Sequence, residues 1–299
     1  MLRVCILSLV LAFSGLDPAQ AADLGPTNTD RPAIAETTVH PFFRHRFMFQ
    51  AGAAFNTIDS GASVGPASGS DGTSLDLEED LGFPSSRTAF DALVRYRISD
   101  RWMIEGEYFN LPRDSSATAA GSIDFGRLTF PVSASVKAEF DIQSIRLAAG
   151  YAFFKSTETE VGAALSVYAT DLSLRLSGNA SIGGIVAGFQ TEKFTVGAPI
   201  PTLGLYASHA VTSRWLISGR ADYMNLHLTS FKGFGYDLDD VNAEVLSLEA
   251  STEYRLAEHL AVGVAYRYMD VSMGATSGGT TGQLDYKVSA PIVFVRASF

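Results

Sequence analysis

The chain predicts an all-β fold: a single antiparallel up-and-down transmembrane β-barrel of ten strands, with eight or twelve as alternatives. Three observations carry this. From Arg44 onward, apolar and polar residues alternate with period two in segment after segment, as strands with one apolar face do. The segments are joined alternately by short turns and by longer loops rich in Gly, Ser and Asp, a regularity that a soluble β-sandwich does not need. After Phe13 no run reaches the ~18 apolar residues of a membrane-crossing helix.

Composition and address agree with that class. The 299 residues include 27 Gly, aromatics make up 11%, and charged residues only 18%, a low share for a soluble globular protein. Arg3 and the short apolar core Val4 to Phe13, followed by Ala19-Gln20-Ala21, read as a secretory signal covering residues 1–21. The only cysteine, Cys5, falls inside it, so no disulfide or thiol chemistry is expected in the mature chain. The net charge of −10 argues against nucleic acid as a partner. Residues 22–43 are polar, with Pro26, Pro32 and Pro41, and are expected to form a flexible periplasmic lead-in to a barrel over 44–299.

The strands follow in order. Strand one, about Arg44 to Phe55, faces Phe47, Phe49, Ala51, Ala53 and Phe55 outward and Arg46, Met48, Gln50 and Gly52 inward; a long loop runs to Ser86. Strand two, Arg87 to Ile98, turns at Ser99-Asp100-Arg101 into strand three, Trp102 to Leu111. A loop holding a strand-like piece, Ile123 to Phe130, precedes strand four, which ends at Phe154 with Ile145, Leu147, Ala149, Tyr151 and Phe153 outward. Strand five is Glu160 to Leu174. A long connection from Ser177 to Pro199, with an apolar piece Ile182 to Phe189, leads to strand six, Pro201 to Val211. Strand seven is Trp215 to Leu228. After a loop over Phe231 to Asn242 come strand eight, Ala243 to Leu256, strand nine, Leu260 to Met273, and a closing strand from near Leu284. Four short turns and five long loops result, with both termini on one side.

Three stretches repeat one another: RWMIEGEYFNL from Arg101, RWLISGRADYMNL from Arg214 and HLAVGVAYRYMDV from His259. Each begins a strand leaving a short turn, with aromatic residues where a barrel carries its interfacial girdles. The last residues, VSAPIVFVRASF, put Pro291, Val293, Val295 and Ala297 in step with Phe299. This resembles the closing strand of a bacterial outer-membrane β-barrel, which makes Phe299 an assembly signal for the barrel-assembly machinery. LDLEEDLGF (Leu75 to Phe83), IDFGRLTF (Ile123 to Phe130), APIPTLGL (Ala198 to Leu205) and the RW-starting strands resemble, over Leu75 to Phe299, a family of uncharacterised proteobacterial outer-membrane barrel proteins. That resemblance implies outer-membrane localisation and no activity.

The inward face is where chemistry is expected. Its register collects Arg46, Arg95, Arg97, Arg146, Arg220, Arg255, Arg267 and Arg296 with Asp91, Glu105, Glu107, Asp222, Glu249 and Glu253. Lys137, Lys155, Lys193, Lys232 and Lys287 fall instead in loops, turns or strand ends. Arginine is the residue suited to ion pairs held in planar geometry away from water, and the interior of a small barrel is nearly filled by side chains. An interlocked ion-pair plug is therefore expected, with a narrow anion-leaning channel as the alternative because the set leans positive.

A surface hydrolase is the second alternative. An omptin-like protease needs an Asp-x-His arrangement at the rim, yet Asn225-Leu226-His227 has no acid two residues before the histidine. A lipid A deacylase needs His and Ser on lipid-facing strands, but His209 follows Ser208, and adjacent strand residues face opposite ways. His40, His45 and His259 lie before the strands or in a turn. No enzyme, cofactor or metal is expected. The acidic clusters Asp76/Glu78/Glu79/Asp80 and Asp237/Asp239/Asp240 read as solvated loops, whose alternative is a divalent-ion bridge to lipopolysaccharide. Leu75, Leu77, Leu81 and Phe83 suggest a piece packed over the barrel mouth. The partners expected are outer-membrane lipid and lipopolysaccharide, around a monomer.

Overall fold

The computed structural model describes residues 40–299 except 67–72, 120, 126–127, 183, 230, 234–235, 239 and 278. The predicted signal segment and nearly all of the lead-in lie outside these residues. The chain separates into Met1–Thr37 and Thr38–Phe299, and every described residue belongs to the second unit.

A helical turn, α1 (Pro41–Arg44), leads into β1 (Phe47–Pro66), β2 (Thr73–Asp76), β3 (Ser86–Arg97) and β4 (Trp102–Thr118). Two short pieces, β5 (Ile123–Phe125) and β6 (Leu128–Phe130), precede β7 (Ser135–Lys155), β8 (Thr159–Ile182), β9 (Ile185–Ala210) and β10 (Trp215–Leu228). After the small hairpin β11 (Phe231–Gly233) and β12 (Tyr236–Leu238) come β13 (Asp240–Ala257), β14 (Leu260–Ser277) and β15 (Thr280–Ser298). All pairings are antiparallel. The long strands run in the order β8-β7-β4-β3-β1-β15-β14-β13-β10-β9, and β9 pairs again with β8, so the series returns to its first member. Nothing is left as an exposed edge along this path, which removes the aggregation liability of an open sheet.

The polarity of this sheet reverses along its strands. On the lower part of β7, Leu147, Ala149, Tyr151 and Phe153 are exposed and Ile145 half-buried, while Ser144, Arg146, Ala148 and Gly150 are buried. Higher on the same strand, Lys137, Asp141 and Gln143 are exposed while Val136, Ala138, Phe140 and Ile142 are buried. β8 behaves alike: Ala163, Leu165, Val167 and Ala169 face outward below, and Asp171 and Asn179 above. The alternation keeps its period and changes its sense where the surroundings change from apolar to aqueous. The lower belt, Ile145 to Phe153, has the ~9–11-residue length of a bilayer-crossing strand. Cross-strand aromatic pairs line its lower edge: Phe47–Tyr96 at 4.7 Å, Trp102–Tyr151 at 4.9 Å and Trp215–Tyr254 at 5.8 Å between ring centroids.

Several strands extend past the expected boundaries. Asn56 to Pro66, expected in a loop, continues β1 and pairs with β15 as far as Pro66↔Thr280. The connection expected over Ser177 to Pro199, including Ile182 to Phe189, is a hairpin between strands of 24 and 26 residues. Two of the five connections expected to be long are therefore tight: the ones holding Gly184 and Gly279, whose φ values of 81° and 83° suit glycine. The reason is the reversal just described. Outside an apolar belt, a strand needs no apolar outer face, so a search for one stops too early.

The interior has three levels. The upper one is an apolar core joining Ile58, Leu111, Phe140, Ile142, Leu174 and Met273 of the wall to Leu75, Leu77, Leu81 and Phe83, which fold in over the mouth as expected. Ile123, Leu128 and Phe130 sit in the same core; β5 and β6 pair with each other, and β6 touches β8 at Thr129↔Ser181. They fill the lumen rather than extend the wall. Charged residues occupy the middle level. At the lower mouth, His40, Phe42 and Phe43 are buried, the two phenylalanines with Met48, Leu93, Ala210 and Leu216. Residues 40–43, expected to be flexible, are thus held by burial of two aromatic rings.

Candidate functional site

The middle level is built by parity. Trp102, Trp215 and Leu260 begin three strands that rise from short turns, and inward positions above them carry Glu105 and Glu107, Arg220 and Asp222, and Arg267. Glu107 receives Arg267 Nη2 at 2.6 Å and Arg220 Nη2 at 3.0 Å. Arg267 also meets Asp91 Oδ2 and Glu249 Oε2, each at 2.7 Å. Arg220 Nε lies 3.1 Å from Asp222 Oδ2. Arg146 bridges Asp222 at 3.3 Å to Glu105 at 3.4 Å, and Arg95 Nε closes on Glu105 Oε1 at 2.7 Å. Asp222 is fully buried, and the Arg146 side chain is 1% exposed. Charges so removed from water persist only when paired on several sides.

Below this group, Arg296 pairs with Glu253 and donates to Gln50 Oε1 at 2.6 Å. Arg97 Nη1 meets Glu160 Oε2 at 2.9 Å. The ring of Phe42 closes the lower mouth beneath three guanidinium carbons, 4.5 Å from Arg95, 5.6 Å from Arg97 and 5.7 Å from Arg296, a cation–π arrangement. Above, Arg113 pairs with Glu78 and donates to Ser60 Oγ at 2.6 Å, between the rings of Phe83 and Phe140. Among the described residues, the spaces left inside are small. A cavity of about 50 Å³ lies between Phe42, Arg95, Glu105, Arg146, Tyr206 and Arg220, room for a few waters.

Of the fourteen charged residues expected inside, twelve join this network: Asp91, Arg95, Arg97, Glu105, Glu107, Arg146, Arg220, Asp222, Glu249, Glu253, Arg267 and Arg296. Arg46 does not. It precedes β1 and is exposed, because it lies beyond the first wall pairing, where water solvates it. Arg255 lines the lower mouth without an ion pair among the described residues, next to the register shift between Arg255 and Ala257. Three participants were missed: Glu160, Arg113 and Glu78. Parity with Gly162 and Ala164 gives Glu160 away, and parity with Glu107 and Leu111 gives Arg113 away. Glu78 had no such signal, because a loop places it. It was expected in a solvated cluster, yet its side chain is only 15% exposed. With Arg46 and Arg255 outside the network and Arg113, Glu78 and Glu160 inside it, seven arginines face eight carboxylates, so the expected positive lean disappears.

Histidines form no catalytic set among the described residues. His227 Nε2 stands 3.7 Å from Asp240 Oδ2 with both side chains exposed, too long for a hydrogen bond. His209 Nδ1 shares a hydrogen bond with Thr159 Oγ1 at 2.8 Å. His45 and His259 stack at 5.1 Å, and His259 stacks on Phe299 at 5.2 Å. Phe299 is tied to Phe47 by backbone hydrogen bonds in both directions, 2.8 and 2.9 Å long. Side chains of Asp237 and Asp239 lie outside the described residues.

No family model and no curated protein matches the chain. Among solved structures, the chain is similar to the outer membrane protease OmpT from Escherichia coli, at 8% identity and a TM-score of 0.50, over 84% of this chain and 97% of that one. It is also similar to the translocator domain of the autotransporter NalP from Neisseria meningitidis, at 12% identity and a TM-score of 0.45, over 85% and 89%. At such identities the likeness to OmpT is one of fold alone: an antiparallel β-barrel of the outer-membrane kind.

Proposed function

We propose that this protein is a monomeric ten-stranded β-barrel of the bacterial outer membrane whose lumen is closed, and that it serves the envelope structurally rather than as a conduit or an enzyme. One observation carries the reading: the sheet is inside out over a belt. Phe49, Phe90, Leu147, Leu165, Leu203 and Val293 are exposed while Asp91, Glu107, Arg146, Asp222 and Arg267 are buried. Water-soluble proteins rarely leave so continuous an apolar surface uncovered, and a bilayer covers such a band on a transmembrane barrel. The ring of pairings among ten long strands supports the count, and the expected signal segment, followed by strands rather than an apolar helix, supports the address. The affinity of Leu75 to Phe299 for a family of uncharacterised outer-membrane proteins belongs to the same reading.

Closure rests on the three stacked levels of side chains. Single-channel recording of the refolded mature protein in a planar bilayer tests it, with wild type beside Arg95→Ala. The wild type is expected to be silent, and the variant to show brief openings because Glu105 loses its closest cation. A steady anion-selective current from the wild type would overturn the closed lumen.

A further inference from the structure

The lower mouth holds a piece of chain that is not part of the wall. Phe42 and Phe43 are 7% and 5% exposed. The Phe43 amide donates to the His40 carbonyl at 3.0 Å, and Arg97 Nη2 donates to the Phe42 carbonyl at 3.3 Å. Among the described residues, no strand ladder holds residues 40–44; besides these bonds and the ring contacts, Arg44 Nη2 reaches Glu258 Oε1 at 3.5 Å. Their retention depends on apolar burial and on the Phe42 face turned to Arg95, Arg97 and Arg296.

His40 is the weak point of this arrangement. It is 3% exposed, accepts from the Phe42 amide at Nδ1, and sets its ring edgewise to Phe43 at 6.4 Å. The mouth around it is mostly cationic: Arg95 and Arg97 from β3, Arg255 from β13, Arg296 from β15 and His45 from its own segment, against Glu253 and Glu258. Glu253 is already engaged by Arg296, and Glu258 faces Arg44 at 3.5 Å. The Arg214 backbone lies against the ring as well.

We propose that residues 40–44 are a releasable stopper in the lower mouth, seated while His40 is neutral and expelled when it gains a proton among Arg255, Arg296 and His45. Burial first, and then the charges of Arg255 and Arg296, hold His40 down to about 4 when seated, against an ordinary value of 6.5. The sign follows: the seated form prefers neutral histidine, so seating is full above pH 6.5. Its equilibrium constant then falls by up to about tenfold per pH unit until near pH 4. Release uncovers the lower face of the ion-pair network and leaves the wall intact.

Hydrogen exchange of the refolded full-length mature chain, read by mass spectrometry as protection corrected for intrinsic rate, tests this at pH 7.5, 6 and 4.5. The amides at residues 42–44 are expected to lose at least tenfold protection between pH 7.5 and 4.5, while β14 and β15 keep theirs. His40→Gln is expected to hold the segment's protection at pH 4.5. Unchanged protection in the wild type, or equal loss in wild type and His40→Gln, would overturn the proposal. If His40→Gln does not seat at pH 7.5, Arg255→Gln decides. Removing that cation is expected to move release to lower pH, and no shift would count against the proposal.

Discussion

Glu107 Oε1 and Arg267 Nη2 lie 2.6 Å apart although their strands, β4 and β14, are separated on the ring by β3, β1 and β15. The pair spans the lumen instead of joining neighbours, and Arg220 reaches the same carboxylate from a third strand. Opposite walls are thereby fastened to each other through charge largely removed from water.

Breaking one side of that pair should be costly. Arg267→Met is expected to destabilise the protein by ~3–5 kcal/mol, because Asp91, Glu107 and Glu249 are left buried with less cation. The double variant Arg267→Met with Glu107→Gln should recover part of the loss. Urea titration of protein folded into lipid vesicles gives both values, and strict additivity would show that the two residues do not act together.

The belt boundary on β8 predicts a position-dependent effect of one substitution. Leu165→Arg, at mid-belt, is expected to cost ~2–4 kcal/mol in the same titration. Asn179→Arg, on the same face above the belt, should stay within ~0.5 kcal/mol. Equal costs would mean that the apolar surroundings do not end where the polarity reverses.

The upper core is expected to behave like that of a water-soluble protein. Phe140 is fully buried between Arg113 and Phe83, so Phe140→Ala should cost ~3–5 kcal/mol. Lys137→Ala, on the outer face of the same strand and 60% exposed, should change stability by under ~1 kcal/mol. Thermal unfolding of both variants beside wild type measures the difference.

Two neighbouring acids in one loop should differ sharply. Glu78→Gln removes the charge that faces buried Arg113 and is expected to cost ~3–5 kcal/mol. Glu79 is exposed, and Glu79→Gln should stay within ~0.5 kcal/mol. Matching unfolding midpoints for the two variants would show that Glu78 does not anchor the loop.

How much of this was legible beforehand divides by the range of the physics. Side-chain facing on a strand is set by the backbone itself. That is why Glu105, Glu107, Arg146, Asp222 and Arg267 could be placed inside from alternation alone, and why the short turns at Ser99-Asp100-Arg101 and between Val211 and Trp215 were found. Alternation also concealed something. Val136 and Phe140 on β7 and Leu176 on β8 point inward from stretches whose outer face is polar, and nothing local says that such a stretch continues a wall. The sequence by itself determined facing, strand order and the charged inventory. Only the tertiary structure decided which charges meet, since Glu107 finds Arg267 across the closed ring and Glu78 finds Arg113 through a folded loop. It also decided that Phe42 stops the lower mouth, because three guanidinium groups from two strands converge there only once the ring has closed.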